Sequence, residues 1–541
     1  MWKKLLITGC VTFSLLSGGT LSAQPSCEIK EEVTSEQLDR TQKELVAMMK
    51  ELKNDSYFQT ELDKAAVQSS LSKRMAAYKD LTVRLLSVLE IQAELEWMKP
   101  EAIQEALGIM KKSSGFDAVL ADKRFGELKS LLAGGFDGIY TGDAQAIDKA
   151  NKTLTLKRKL MLMSPDVNVD KMLTVKFDLG ERANFVGAGS LGIQPNNWSN
   201  LSSASRKNFK AQLVELSGLQ SGELSEKVLY KPAVDGSSVT DLVLNWDGKR
   251  LMFTALDTTR RWQVHELDIN NGEAKQVTNI PEPDLEFFDG TYLPDGRMLA
   301  ISNIGYQGVP CVNGSDAVGN MVLYDPSNGY LRRLTFDQDA NWHPVVMANG
   351  KVMYVRWEYT DLTHYFSRIV MHMNPDGTEQ KSLYGSGSMF PNSIFDVQPL
   401  PKHTNRFVGV ISGHHGVARS GRLMIFDPAK SRKEEKGMIQ ELPFRGRPII
   451  PEVKDELVNG VWPQFIKPYP LTDETFLVTA KLSPYSRWGI YLVDIYDNLT
   501  LVANADDAGM IYSVPVKSTP IPPAIPDRIK PNEKEATVFI Q

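Results

Sequence analysis

Three ionisable side chains lie at matching distances from three tight turns. Asp241, Asp289 and His343 each stand six residues before the Asp or Asn of such a turn. The turns are Trp246-Asp-Gly-Lys249, Pro294-Asp-Gly-Arg297 and Ala348-Asn-Gly-Lys351. A carboxylate and an imidazole held close together shift each other's pKa and can exchange a proton with a substrate. Asp289 and His343 are therefore candidate catalytic residues, and Asp241 is a candidate ligand contact.

A second group of residues could bind a metal ion. The candidate ligands are Cys311, His343, His364 and His414. Thiolate and imidazole are natural ligands of Zn²⁺, which is the predicted cofactor. None of them forms a compact pair such as C-x-x-C, and the adjacent His414 and His415 point to opposite sides of an extended chain. The alternatives are histidines that hydrogen-bond within their loops and, for Cys311, a buried thiol or a disulfide with Cys27.

Aromatic residues near the same predicted loops offer a different chemistry. They are Trp342, Trp357, Tyr359, Trp462 and Tyr485. Such rings stack on sugars, and Arg356 and Glu358 could add polar contacts to the same ligand. The alternative is that these side chains are packed between neighbouring sheets.

A strand pattern that recurs six times must position all of these side chains. The copies are Gln212-Leu-Val-Glu-Leu-Ser217, Val264-His-Glu-Leu-Asp268, Met321-Val-Leu-Tyr-Asp325, Val370-Met-His-Met-Asn374, Leu423-Met-Ile-Phe-Asp427 and Ile490-Tyr-Leu-Val-Asp494. Their last residues are 51, 57, 49, 53 and 67 positions apart, which suits four short strands with loops and is too long for solenoid repeats. The spacing predicts a mainly β fold, with a six-bladed β-propeller over residues 165–520.

The tight turns indicate which residues share a face of this propeller. Asp-Gly and Asn-Gly supply the positive φ angles of hairpins, so the three turns join each innermost strand to the second strand. Pro326-Ser-Asn-Gly329 and Asn374-Pro-Asp-Gly377 join third strands to fourth strands on the same side. The opposite side holds the starts of the innermost strands and the loops between second and third strands. The candidate site residues are expected on that opposite side, the loop face.

The first predicted blade lacks an innermost strand of its own. Its second strand lies at Lys171–Phe177, and no strand pattern precedes it. We predict that Ile511–Val516 returns to supply the missing strand, which removes exposed edges from the ring. Residues 521–541 would then begin a further segment or form a truncated tail.

Residues 24–160 have a helical pattern and predict an α-helical N-terminal domain. Thr34 and Gln37 can form a capping box, and Pro100 can begin a later helix. An apolar stripe recurs at steps of three and four, at Leu71, Met75, Tyr78, Leu81, Leu85 and Leu89. The stripe is either a docking surface for a partner or the core of the helical domain itself.

The first 23 residues are typical of a signal peptide. Two lysines precede an apolar run, Leu5 to Leu16, and small residues lead to the cleavage pattern Leu21-Ser-Ala23. The chain is thus expected to be exported to the periplasm. Ile7-Thr-Gly-Cys10 resembles a lipobox, which makes a lipid anchor the alternative. No later stretch is apolar enough to span a membrane.

Composition excludes some classes of partner. The net charge of the 541 residues is −5, which gives no reason to expect nucleic acid as a partner. Three cysteines are too few for a disulfide scaffold. The C-x-x-C-H motif that attaches c-type haem does not occur, so no covalent haem is expected.

Several motifs together resemble the hydrazine synthase alpha subunit-related family over roughly residues 170–530. They are Asn341-Trp-His-Pro344, Tyr354-Val-Arg-Trp-Glu-Tyr-Thr-Asp361, Asn374-Pro-Asp-Gly-Thr378, Pro391-Asn-Ser-Ile394, Gly413-His-His-Gly416, Trp488-Gly-Ile-Tyr-Leu-Val-Asp494 and Pro523-Ala-Ile-Pro-Asp-Arg528. The resemblance implies a TolB-like propeller without the family's haem domains. It also implies a metal position, for which Cys311 and His343 are the best candidates.

Two functions are compatible with these patterns. The first is an exported binding or scaffold module that holds a protein partner, a glycan or a redox domain on its loop face. The alternative is a zinc-dependent enzyme or a glycan-active propeller, with its site at the mouth of the central channel. The sequence leaves both open.

Overall fold

The computed structural model describes residues 33–178, 198–207, 209–358, 368–414, 417–505, 508–530 and 532–535. Within these ranges every α-helix precedes the first strand, and the rest of the chain is mainly β. The predicted class, mainly β with an N-terminal helical region, is therefore confirmed. The predicted signal peptide lies outside the described residues.

The helical region has a core of its own. Its helices are α1 Ser35–Met49, α2 Ser56–Ala66, α3 Leu71–Leu95, α4 Pro100–Met110, α5 Ala118–Leu132 and α6 Ala144–Met161. The Thr34 side chain accepts a hydrogen bond from the Gln37 N–H, and the Gln37 side chain accepts one from the Thr34 N–H, as the predicted capping box requires. The apolar stripe of α3 is buried against residues of α1, α2 and α6, except that Leu71 is exposed. The stripe is thus core, and the docking alternative is wrong for it.

The strands of the described part form six antiparallel units of four. Unit 1 contains β1 Lys171–Asp178, β2 Ala211–Ser217 and β3 Ser225–Tyr230, and unit 2 contains β4 Val239–Leu244, β5 Arg250–Leu256, β6 Trp262–Asp268 and β7 Ala274–Gln276. Unit 3 contains β8 Phe287–Tyr292, β9 Met298–Ser302, β10 Asn320–Asp325 and β11 Tyr330–Arg333. Unit 4 contains β12 Asn341–Val346, β13 Val352–Trp357, β14 Arg368–Met373 and β15 Lys381–Tyr384.

The remaining strands complete this arrangement. Unit 5 contains β16 Ser393–Pro399, β17 Phe407–Ser412, β18 Arg422–Phe426 and β19 Met438–Leu442, and unit 6 contains β20 Gln464–Pro470, β21 Thr475–Lys481, β22 Gly489–Asp494 and β23 Leu499–Ala503. The last strand is β24 Ala508–Pro515, which pairs with β1 and is the first strand of unit 1. One parallel pair, Arg368 with Ser393, joins units 4 and 5 into a single eight-stranded sheet.

The return of the chain end to unit 1 was predicted and is confirmed. Strand β24 pairs antiparallel with β1, with Val175 opposite Ile511. The Thr174 hydroxyl donates to the Ile511 carbonyl at 3.1 Å. Every residue of β24 is buried. The first strands also contact one another in succession, β4 with β8, β8 with β12, β12 with β16, β16 with β20, β20 with β24 and β24 with β4.

The helices lie against units 5, 6 and 1. Buried apolar residues of α4, α5 and α6 form one cluster with residues of β1, β2, β21, β22 and β23. At its edge the buried Lys157 ammonium donates to the carbonyls of Trp97 and Leu499, both at 2.7 Å. Arg158 Nε donates to the Leu501 carbonyl at 2.9 Å. These contacts fix the helical region to the outer strand of unit 6.

Candidate functional site

One residue of each first strand has a left-handed backbone at a β-bulge. These residues are Asp241, Asp289, His343, Asp396, Lys467 and Tyr512, with φ between 50° and 73°. The pairing of every one of these strands with its neighbour shifts register at the same place. A non-glycine residue in this conformation costs about 1–2 kcal/mol, so its neighbours must hold it there. We call the six residues the inner-strand ring.

Hydrogen bonds from backbone N–H groups link four members of the ring. The Asp289 N–H donates to Asp241 Oδ2 at 3.0 Å, and the His343 N–H donates to Asp289 Oδ2 at 2.6 Å. In the same sense, the Asp241 N–H donates to the Tyr512 hydroxyl at 2.7 Å. The left-handed backbone thus points each N–H at the side chain of the preceding unit.

In the other half of the ring, close contacts between ionisable side chains add to one backbone hydrogen bond. His343 Nδ1 lies 3.3 Å from Asp289 Oδ2, and His343 Nε2 lies 3.4 Å from Asp396 Oδ1. The Lys467 N–H donates to Asp396 Oδ2 at 3.0 Å, and its ammonium lies 2.8 Å from Asp396 Oδ1. Lys467 Nζ also lies 5.4 Å from the centre of the Tyr512 ring, a cation–π distance. Every member therefore contacts both of its neighbours.

Burial and charge divide the three aspartates of the ring. Burial alone would raise the pKa of Asp289, but the charge and hydrogen bonds of His343 outweigh it and lower that pKa to about 2. Burial is likewise outweighed at Asp396, whose pKa is lowered by Lys467 and His343. The pKa of Asp241 is raised, first by burial and then by the charge of Asp289. Asp241, with a raised pKa, thus lies beside Asp289, with a lowered one, and acid–base catalysis also uses carboxyl pairs whose pKa values are pushed apart.

Arg419, from the loop between β17 and β18, lies beside the six residues of the inner-strand ring. Its guanidinium lies 4.5 Å from the centre of the Trp342 ring and 4.9 Å from that of Phe395, and it donates to the Ser199 carbonyl. Burial lowers the pKa of Arg419 to about 10, opposed by the three ring aspartates. Arg419 and part of the ring line a cavity of about 20 Å³. A space of that size holds about one water-sized molecule, which is too small for a sugar ring.

The structure packs the two central tryptophans of the predicted aromatic site into the core. Trp342 and Trp357 are 1% and 2% exposed, and their rings stack 6.2 Å apart. The Arg368 guanidinium lies 4.3 Å from the Trp357 ring. These contacts correct the prediction that both rings bind a ligand, because neither is accessible. They favour the packing alternative. Tyr359 lies outside the described residues.

Arg356 and Glu358, the predicted polar contacts to a ligand, contact each other. Their guanidinium and carboxylate form a direct hydrogen bond. Arg356 NH1 also lies 3.5 Å from Asp337 Oδ1, and Asn341 Nδ2 donates to Asp337 Oδ2 at 3.1 Å. Arg356 is thus held between two carboxylates at the loop face.

The predicted metal ligands are only partly described. His343 belongs to the inner-strand ring, whereas His414 Nδ1 lies 2.9 Å from Asp455 Oδ1. Cys311 lies in the loop between β9 and β10, but its side chain, like His364 and His415, is outside what the structure describes. Over the described ranges no group of three or more His, Cys, Asp and Glu residues is arranged to hold a metal ion. The zinc site stays a prediction.

The turn spacing that identifies Asp241, Asp289 and His343 does not identify the other three members of the inner-strand ring. Lys467 does stand six residues before Asp473, but Glu474 follows in place of Gly. Asp396 precedes a longer connection without Asp-Gly or Asn-Gly, and Tyr512 lies in the returning strand. Where a first strand is followed by an Asp-Gly or Asn-Gly turn, the turn locates its ring residue. The other three first strands have a ring residue without such a turn.

None of the helices in the described part of the chain is long and apolar enough to cross a membrane.

No protein-family model matches the chain, and no curated protein matches it significantly.

Solved structures show distant likenesses to the chain. It is similar to Kuenenia stuttgartiensis hydrazine synthase at 14% identity and a TM-score of 0.48, over 68% of this chain and 49% of that one. For TolB from Acinetobacter baumannii the identity is 10%, the TM-score 0.36 and the coverage 68% and 72%. For a nidogen/laminin complex these values are 12%, 0.36, 64% and 99%. The chain spans about half the length of the hydrazine synthase chain, and the likeness to it is distant.

Proposed function

We propose that the six units are the blades of a closed β-propeller over residues 165–520, preceded by a helical domain at 24–160. Two features support this proposal. Successive first strands contact one another and β24 contacts β4, and the inner-strand ring runs through all six units. We also propose that residues 1–23 direct export to the periplasm. The mass of the secreted chain would test this, because cleavage after Ala23 removes the leader.

We propose that this propeller is a binding scaffold and that the inner-strand ring is a structural clasp. The main support is that every ring member contacts both of its neighbours and that the space beside the ring holds about one water molecule. Catalytic groups must instead reach a substrate within hydrogen-bond distance. The Asp289 carboxylate accepts from the His343 N–H, and the His343 imidazole lies within 3.4 Å of the carboxylates of Asp289 and Asp396. We therefore propose that the inner-strand ring holds the blades together and does not transfer protons.

Metal analysis separates the scaffold from the zinc-enzyme alternative. The zinc content of the purified mature protein is measured by mass spectrometry, with Cys311→Ala, His343→Ala and, as a matched control, His372→Ala in β14. A scaffold predicts no stoichiometric zinc in any preparation. About one zinc per chain that is lost in the first two variants and kept in the control would contradict the proposal.

Among the described residues of the loop face, two exposed aromatic side chains suit a protein or glycan partner. Tyr306, in the loop between β9 and β10, is 61% exposed, and Phe336, between β11 and β12, is 73% exposed. The Arg333 guanidinium lies 4.7 Å from the Phe336 ring. We propose that a partner docks here, since exposed aromatic and Arg side chains are enriched at binding surfaces.

A glycan array with the purified protein tests the sugar form of this proposal. Tyr306→Ala with Phe336→Ala should abolish any binding that is found. Tyr330→Ala is the control, because Tyr330 is also exposed but lies at a turn on the opposite side. Binding that survives the double variant, or is lost in the control, would contradict the location. An array without any binding leaves protein as the proposed partner.

The aspartates of the ring support one second candidate function, acid–base catalysis. The pKa of Asp241 is raised and that of Asp289 is lowered to about 2, and catalytic carboxyl pairs also have pKa values that are pushed apart. A hydrolase screen with Asp241→Asn and Asp289→Asn variants tests it. An activity that both variants lose, while they keep the fold by circular dichroism, would favour an enzyme.

A further inference from the structure

After β24 the chain crosses the side opposite to the loop face. We call residues 516–530 the C-terminal segment, and the side formed by the tight turns the turn face. The Thr519 N–H donates to the Trp246 carbonyl at 2.9 Å. Farther on, the Arg297 guanidinium donates to both oxygens of Asp527, at 2.9 and 2.7 Å. The segment therefore passes from the turns of unit 2 to those of unit 3.

The far end of the segment is held by two carboxylates of unit 4. Asp376 Oδ2 accepts from the N–H groups of Arg528 and Ile529, at 2.6 and 3.2 Å. The Arg528 guanidinium pairs with Glu379. Asp527 and Arg528 thus each meet an opposite charge on the turn face.

Two turn glycines are in close contact with the segment, whereas a third is not. A Cβ atom on Gly248 would lie 2.7 Å from Ser518 N, and one on Gly350 would lie 2.2 Å from Pro523 O. At Gly296, which occupies the same kind of turn and also has a positive φ, a Cβ atom would meet nothing within 4 Å. The turns are thus shaped both for the hairpin and for the close approach of an extended backbone.

The segment has the character of a bound peptide. It contains four prolines between Thr519 and Asp527 and forms no helix or strand. Proline-rich segments are extended before they bind, so they lose little entropy on docking. Much of the segment is exposed, including Ile521 at 64%, so its attachment depends on charge and backbone contacts more than on a core.

We infer that the turn face is a peptide-binding surface, which the chain fills with its own C-terminal segment. The ligand class is an extended proline-rich peptide with an Asp-Arg pair after the prolines. Arg297 binds the aspartate, Glu379 binds the arginine, and Asp376 binds the backbone between them. A peptide of the same class binds in trans when the chain's own segment is displaced. This surface is separate from the loop face of the proposed scaffold.

The test uses the full chain and a fluorescein-labelled peptide of residues 516–530. The variant Asp527→Ala with Arg528→Ala weakens the chain's own segment and leaves the turn face unchanged. By anisotropy the peptide should bind this variant at least about tenfold more tightly than the wild type, because a self-filled site lowers apparent affinity. Adding Gly350→Ala should abolish binding, whereas Gly296→Ala, with matched backbone strain, should not.

Hydrogen exchange on the same samples completes the test. The amides of Thr519, Arg528 and Ile529, which donate hydrogen bonds to the turn face, should be protected in the wild type and exchange freely in the double variant. If they exchange freely and the peptide still fails to bind, the turn face is not a recognition surface. If they stay protected, the charged pairs do not hold the segment. Either result overturns the inference.

Discussion

The inner-strand ring and the C-terminal segment both use acidic and basic side chains, but at different depths. In the ring, Asp396 and Lys467 have side chains that are 4% and 12% exposed. On the turn face, Arg528 and Glu379 are 58% and 33% exposed. Removing one partner from a buried pair leaves an uncompensated charge, whereas water replaces the partner of an exposed one. The ring should therefore behave as a permanent clasp and the segment as a reversible one.

Loss of β24 should have the largest effect, because it removes a ring member together with a buried strand. Deleting residues 508–541 should leave no cooperative unfolding transition in urea, since β1 becomes an unpaired edge. Deleting only 517–541 is the control, which keeps β24 and removes most of the segment. Equal unfolding midpoints for the two truncations would show that the segment, and not the returning strand, closes the fold.

Within the ring, Asp396→Ala should cost about 3–5 kcal/mol of unfolding free energy. The reason is that Lys467 and His343 both lie beside Asp396 and would be left buried without it. Urea denaturation followed by tryptophan fluorescence measures this cost. The matched variant Asp527→Ala, on the turn face, should cost only about 0–1 kcal/mol. Similar costs for the two aspartates would contradict the contrast between the two regions.

Lys481, at the end of β21, is a buried lysine whose pKa is not raised by the carboxylates of the inner-strand ring. It is 1% exposed, and its ammonium lies 5.6 Å from the centre of the Trp462 ring. Burial lowers the pKa of Lys481 to about 7, whereas Asp396 and the other ring carboxylates raise the pKa of Lys467 despite burial. The same residue type is thus favoured as a cation at one buried site and as a neutral amine at the other.

Lys481→Met should accordingly stabilise the protein by up to about 5 kcal/mol at pH 6, where the folded state must bury the charge, because each unit of the lowered pKa corresponds to about 1.4 kcal/mol. As the pH rises from about 7 to the ordinary lysine pKa near 10.5, the folded amine is neutral and the unfolded one is charged. Wild-type stability therefore rises relative to the variant until the two converge. A pH series of urea midpoints measures this. A difference that is constant from pH 6 to 10 would contradict it.

Sequence patterns predicted the strands well because strand periodicity and turn chemistry are local. All six repeated segments are third strands of their units, and the returning strand pairs as expected. Side-chain direction was harder to predict. A bulge in each first strand redirects the residues beside it, so Trp342 is buried although it stands at a strand start. No pattern of one strand reveals whether its neighbours cover it.

The contacts between distant segments could not be predicted for a related reason. The C-terminal segment has no periodicity, and its binding depends on turn residues such as Arg297 that are more than 200 positions away. Arg419 was missed because nothing in its loop indicates that it lies beside the ring. Only the fold brings such residues together, whereas the Asp-Gly turns signal their own conformation.

The smallest change in stability is expected for a solvent-exposed ion pair between the helices and unit 5. The two terminal nitrogens of Arg445 donate to the two carboxylate oxygens of Glu105, at 2.8 and 2.7 Å. Both side chains are nonetheless exposed, at 45% and 43%. Arg445→Ala should leave the urea midpoint unchanged within error. The matched variant Arg487→Ala should lower it clearly, because Arg487 and Glu90 bridge the helices and unit 6 with exposures of only 15% and 18%. In both pairs the guanidinium donates two hydrogen bonds to one carboxylate, but the pairs differ in burial. An effect of Arg445→Ala as large as that of Arg487→Ala would show that geometry, and not burial, decides what a charge contributes in this protein.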